Sequence, residues 1–147
     1  MQFAEKDAQT ILQQAKAYHD RGKLKWAAIG YQKAAEMGAV IAQNNLGFMY
    51  YEGKGVSQDF AQAVHWFQKA AEQGLADAQY NLARMYQTGK GVPQDIAQAA
   101  KWYLKVAKQG DIKALFNLAQ LSVEHKNIAQ DFNQVIKLFE EKAEKGD

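Results

Sequence analysis

A block of six residues recurs at a fixed interval, and that interval constrains the fold of this chain more than any other property. Ala42-Gln43-Asn44-Asn45-Leu46-Gly47 is followed by Ala78-Gln79-Tyr80-Asn81-Leu82-Ala83 and then by Ala114-Leu115-Phe116-Asn117-Leu118-Ala119, each 36 residues after the last (78 − 42 and 114 − 78). The phase holds downstream through Gly53 and Gly89, Gly55 and Gly91, and the series Val56, Val92, Ile128. Asp59, Asp95 and Asp131 follow, then Trp66 and Trp102 with Leu138 in the fourth copy, and finally Gly38, Gly74, Gly110 and Gly146. A period of this length marks stacked supersecondary units, because one unit cannot bury its own apolar face.

Each unit reads as two helices. Leu46, Met49 and Tyr50, mirrored by Leu82, Met85 and Tyr86, sit at helical spacing. Phe60, Ala63, Trp66, Phe67, Ala70 and Ala71 form one apolar stripe, with Gln62, Gln68 and Lys69 outside it. Asp59-x-x-Gln62, Asp95-x-x-Gln98 and Asp131-x-x-Gln134 are aspartate variants of the capping box. In such a box the carboxylate takes an orphan helix N–H and the amide reaches back. Gly74, Gly110 and Gly146 supply helix ends. Between the helices, Gly53-Lys54-Gly55-Val56 and Gly89-Lys90-Gly91-Val92 provide tight turns. Small residues at Gly47, Ala83 and Ala119 let paired helices approach. Asn45, Asn81 and Asn117 are expected as buried or half-buried amides that tie adjacent turns together.

The pattern predicts an all-α chain, a right-handed α-α superhelix (solenoid) of four helix-turn-helix repeats at about 8–41, 42–77, 78–113 and 114–147, within one domain over residues 1–147. Eight helices are expected near 5–20, 24–37, 40–52, 59–73, 76–88, 95–109, 112–125 and 131–145. Two units depart from the period. The loop Asp20-Arg21-Gly22-Lys23 is four residues shorter than its counterparts, since Tyr50 to Phe67 spans 17 residues and Tyr18 to Tyr31 spans 13. The fourth unit has His125 and Asn127 for the loop glycines, and Lys142 where Ala70 stands, which reads as the polar outer face of a terminal repeat.

Bulk properties narrow the function. A net charge of +2 with interspersed signs lacks the basic stripe of a nucleic-acid binder, so nucleic acid is not expected as a partner. The charge-free stretch Gly38–Tyr51 falls short of the roughly 18 apolar residues of a membrane span. Residues Met1 to Asp7 show no basic-then-apolar leader pattern. Cysteine is absent, which excludes disulfides, thiolate metal sites and a cysteine nucleophile. Its absence suits a cytoplasmic setting and equally many periplasmic or secreted proteins.

These motifs resemble the Sel-one-like repeat, a relative of the tetratricopeptide repeat. The pattern A-x-x-N-L-G-x-M-Y, G-x-G-V-x-x-D, A-x-x-W-[YF]-x-K-A-A-x-x-G runs through residues 42–74, and through 78–110 with Ala83 for glycine and Val106 for alanine. The resemblance implies a helical adaptor that assembles complexes without chemistry of its own. Similar bacterial proteins act in envelope stress, secretion and host interaction.

No residue set argues for an enzyme or a cofactor. Gly53-Lys54-Gly55-Val56-Ser57 lacks the spacing of a phosphate-binding loop and has no strand before it. His19, His65 and His125 have no ligand spacing for a metal. Ser57 and Ser122 lie in no nucleophile elbow, and Glu140-Glu141 suits a solvated helix face. Trp66, Trp102, Tyr50 and Tyr86 stand at core spacing.

Partner binding is the remaining reading. In the superfamily resembled, the first helices line the concave face. Opposite the Leu46–Tyr50 edge, helical geometry places Asn44, Phe48 and Tyr51, then Tyr80, Arg84 and Gln87, then Phe116, Gln120 and Val123, with Leu12, Lys16 and His19 in the first unit. Aromatics beside amides and an arginine suit a protein or peptide, with Tyr80 and Arg84 as expected anchors. The expectation is a non-enzymatic adaptor, monomeric or weakly dimeric. The rival readings are an immunity or regulatory protein that neutralises a bacterial toxin or enzyme, and a self-assembling structural module.

Overall fold

A computed structural model describes residues 6–146. Eight α-helices occur among them: α1 Ala8–Asp20, α2 Leu24–Glu36, α3 Val40–Glu52, α4 Phe60–Glu72, α5 Ala76–Thr88, α6 Ile96–Lys108, α7 Ile112–Glu124 and α8 Ala129–Glu144. No strand occurs among the described residues. Each helix packs on the next in the chain, and α8 packs on both α6 and α7. The result is the stack of helix pairs that the 36-residue period predicts.

The helix starts follow from local chemistry. Asp59 and Asp95 have extended backbones, and each carboxylate accepts an N–H at 3.1 Å, from Gln62 and Gln98 respectively. The return half of the capping box is made differently. The Asp59 and Asp95 N–H groups donate to the carbonyls of Tyr50 and Tyr86 at 2.9 Å, so the loop itself satisfies the donors expected to meet Gln62 and Gln98. The expected first-helix start near residue 5 falls outside the described residues. Helix α1 begins at Ala8, where the Asp7 carboxylate accepts the Thr10 N–H at 2.7 Å. That bond holds the Asp7 carboxyl below the usual carboxylate range.

Gly55 and Gly91 are fixed by space as well as conformation. Their φ angles are +76° and +75°, and a Cβ at either position would overlap the carbonyl of Leu24 or Phe60, the first residue of the second helix in the preceding repeat. Each loop therefore seats directly on the repeat before it. In the fourth unit Asn127 stands where Gly91 did, and His125 adopts an extended φ of −132°. The chain there runs through a 3-10 turn, Lys126–Ile128, straight into α8. Asp131 consequently lies inside the helix, two residues past its first residue, rather than ahead of it as expected from the sequence.

The core alternates between repeats. Trp66 belongs to the core cluster that holds Ile11, Ala15, Tyr31 and Leu46, whereas its neighbour Phe67 belongs to the one that holds Leu82, Tyr103 and Leu118. One helix thus closes two seams with adjacent aromatic residues. Tyr103 is fully buried and its hydroxyl donates to Gln87 Oε1 at 2.6 Å. Burial, reinforced by nearby Tyr80, pushes the Tyr103 hydroxyl far above the ordinary tyrosine pKa, against a small opposing effect of Arg84.

Four substitutions test this account. Asp95→Ala should lower unfolding free energy by about 1 kcal/mol, and Trp102→Ala by about 3–5 kcal/mol through the cavity it leaves, both measured by urea titration. Gly91→Ala should destabilise by about 1–3 kcal/mol, since left-handed strain adds to the overlap with Phe60. In the native state Tyr103 keeps its proton above the unfolded tyrosine pKa of about 10. Wild-type stability should therefore fall as pH rises beyond that point. Tyr103→Phe should flatten this alkaline limb, and identical slopes for the two proteins would contradict the assignment.

Candidate partner-binding face

Helices α3, α5 and α7 stand side by side, and a side-chain hydrogen bond joins each to the next. Asn81 Nδ2 donates to Asn44 Oδ1 at 3.3 Å, between α5 and α3. Asn117 Nδ2 donates to the Tyr80 hydroxyl oxygen at 2.7 Å, between α7 and α5. Asn45 bonds Tyr31, whose hydroxyl pKa is raised mainly by burial and secondarily by Asp20. The three recurring asparagines thus tie neighbouring elements, all half-buried as their spacing suggests.

The candidate groove residues divide into three groups. Asn44, Tyr80 and Gln87 are turned into the stack. Asn44 is only 7 % exposed and holds Asn81. Tyr80 stacks edge-on against Tyr103 at 5.6 Å and holds Asn117. Gln87 accepts the Tyr103 hydroxyl. A helical wheel places these residues away from the helix's own apolar edge, but that direction meets the next repeat rather than solvent.

Phe48, Tyr51 and Arg84 come together in one crevice between α3 and α5. Phe48 is 40 % exposed and meets the Phe67 ring edge-on at 5.3 Å. Phe67 and Met85 complete an apolar floor, with Asn81, Thr88, Arg84 and Lys90 around it. The crevice encloses about 60 Å³, well below the roughly 300–1,000 Å³ of small-molecule sites. It has room for a side chain. Phe116 and Gln120 form the third group, exposed on α7 and outside this crevice.

Lys90 was not among the residues singled out from the sequence. Its ammonium donates to the Tyr51 hydroxyl at 3.2 Å and lies 5.3 and 5.4 Å from the Tyr51 and Phe60 ring centres. One substitution within the repeat signals the difference. Lys54 pairs with Glu52 at 3.3 Å, the one ion pair among the described residues. Thr88 replaces that glutamate in the next unit (52 + 36). Lys90 and Arg84 therefore stand at the crevice without a carboxylate partner.

No helix among the described residues is long and apolar enough to cross a membrane. The Sel1 repeat matches residues 31–38, 40–75 and 76–111. No curated protein matches the chain. Three bacterial structures share its architecture. A Sel1 repeat protein from Oxalobacter formigenes superimposes with a TM-score of 0.71 and 36 % identity, over 78 % of this chain and 89 % of that one. A protective antigen of uropathogenic Escherichia coli strains, displaying an SLR fold, gives a TM-score of 0.67 and 38 % identity over 77 % of this chain. This chain spans only 26 % of that protein's length. Helicobacter pylori cysteine rich protein B, at 22 % identity and a TM-score of 0.58 over 76 % of this chain and 94 % of its own, shares the fold alone. With more than half of its residues matched to the repeat, the chain belongs to the Sel1 repeat family, whose members generally serve as protein–protein interaction scaffolds.

Proposed function

We infer that this protein is a non-enzymatic adaptor that holds a segment of a partner protein across the face built by its odd-numbered helices. The observation that carries this reading is the α3–α5 crevice. Its floor of Phe48, Phe67 and Met85 is apolar, and Arg84 and Lys90 beside it lack carboxylate partners. A bulky partner side chain seated on the floor gains burial, while an adjacent acceptor takes the Arg84 guanidinium. Phe48 and Arg84 replace Tyr80 as the anchors, because Tyr80 is committed to Asn117 and Tyr103.

The test is capture of a partner from the source cell, followed by titration of that purified partner against variants. Arg84→Ala and Phe48→Ala should each weaken binding by about 2 kcal/mol, with the thermal midpoint nearly unchanged for Arg84→Ala and modestly lowered for Phe48→Ala, which also loses the edge-on contact with Phe67. Gln68→Ala, on the second helix of its repeat, should leave affinity unaltered. Tyr80→Phe should do the reverse of Arg84→Ala, lowering stability by about 1 kcal/mol through the lost bond with little effect on affinity. If Gln68→Ala alone weakens the complex, the binding face lies on the even-numbered helices.

A further inference from the structure

The most exposed large apolar side chains among the described residues all lie on α7. Ile112 is 67 % exposed, Phe116 74 % and Val123 83 %. At about 100° per residue they fall within roughly 40° of one another, so they form one stripe along the helix. No described helix covers it. Lone exposed apolar residues need no explanation, but an aligned stripe of three marks a contact surface.

The charges beside the stripe indicate what fits it. Lys113 and Glu124 are both exposed, and helical geometry puts them on the same flank of the stripe, 11 residues and so about 16 Å apart. When two identical helices pack antiparallel about a two-fold axis, like flanks meet and each contact occurs twice. Lys113 of one copy then faces Glu124 of the second, and the reverse. Ile112 and Val123 oppose each other at the two ends, with both Phe116 rings near the centre. A parallel pairing about a two-fold axis would instead bring opposite flanks together and lose these reciprocal pairs. We propose that α7 is a self-association surface, on which a second copy of this chain docks antiparallel through Ile112, Phe116 and Val123 with reciprocal Lys113–Glu124 pairs.

One helix stripe buries less than the roughly 1,200 Å² typical of stable complexes, so the dimer is weak and concentration-dependent. It is separate from the α3–α5 crevice, and Arg84→Ala should leave it intact.

Sedimentation equilibrium of the full chain over a concentration series should show a monomer–dimer equilibrium. Phe116→Ser should raise the dimer dissociation constant by at least about tenfold, with circular dichroism unchanged because the ring is solvent-facing. Val123→Ser should act in the same direction. Lys113→Glu and Glu124→Lys should each weaken the dimer, and the double variant carrying both should restore it. Lys113 also shares a shallow crevice with Asp77 and Asp111, and the double variant leaves that local surrounding altered, so its recovery reports the intermolecular pairing. A chain that stays monomeric at every concentration overturns the proposal and leaves the stripe to a helix of another protein. So does a dimer indifferent to Phe116→Ser, or one in which the double charge variant is as weak as the singles.

Discussion

The stack depends on a buried amide relay that crosses the first two seams between repeats. Gln43 Nε2 donates to the Ala35 carbonyl at the end of α2 at 3.2 Å, and its Oε1 accepts from Gln73 Nε2, just beyond α4, at 2.7 Å. The next repeat copies it, with Gln79 donating to Ala71 at 3.1 Å and accepting from Gln109 at 2.9 Å. Gln43 and Gln79 are 4 % and 5 % exposed, so an unpaired amide there would carry a desolvation penalty of about 1–3 kcal/mol. Three helices meet on each glutamine, and their relative placement is held to hydrogen-bond tolerance. Apolar burial gives the stack its energy. The relay restricts how one pair may sit on the next.

The same relay explains why the last unit differs. In repeat phase, Gln79 becomes Leu115 and Gln109 becomes Lys145. The α6–α7–α8 seam has neither amide, and it also lacks the glycine that seats the earlier loops on the preceding repeat. Freed from both constraints, the chain takes a 3-10 turn, and α8 starts early and packs against α6 as well as α7. Lys142 is exposed there. The neighbouring α7, by contrast, exposes its apolar stripe.

Helices, turns and core positions were legible because they are set within about one turn of chain. An aspartate in extended backbone caps the residues that follow it, and an apolar stripe at helical spacing buries itself whatever its neighbours are. The face positions were harder. Asn44, Tyr80 and Phe116 occupy one phase of the repeat, and a wheel assigns all three to the same surface. Their burial depends on the following helix pair. Asn44 is covered and Tyr80 half-covered, while Phe116 lies open. The glutamine relay was illegible for a related reason, since its partners stand 8 and 30 residues away and only the stacked fold brings them together.

A repeat protein therefore carries its individuality in small departures from its own period. Gly47 lacks a side chain, and a Cβ there would come within 2.6 Å of the Phe67 ring. That gap lets Phe67 reach α3 and support Phe48 from below. In the next repeat the corresponding residues are Ala83, Tyr103 and Arg84, and the Tyr103 hydroxyl is drawn to Gln87 instead. The change of Glu52 to Thr88 leaves Lys90 to rest on Tyr51 and Phe60 rather than on a carboxylate. Each change is conservative for the fold, because the helix and its core stripe persist. Together they give the α3–α5 seam an apolar floor and two cations without acidic partners, although the same 36-residue plan builds its neighbours.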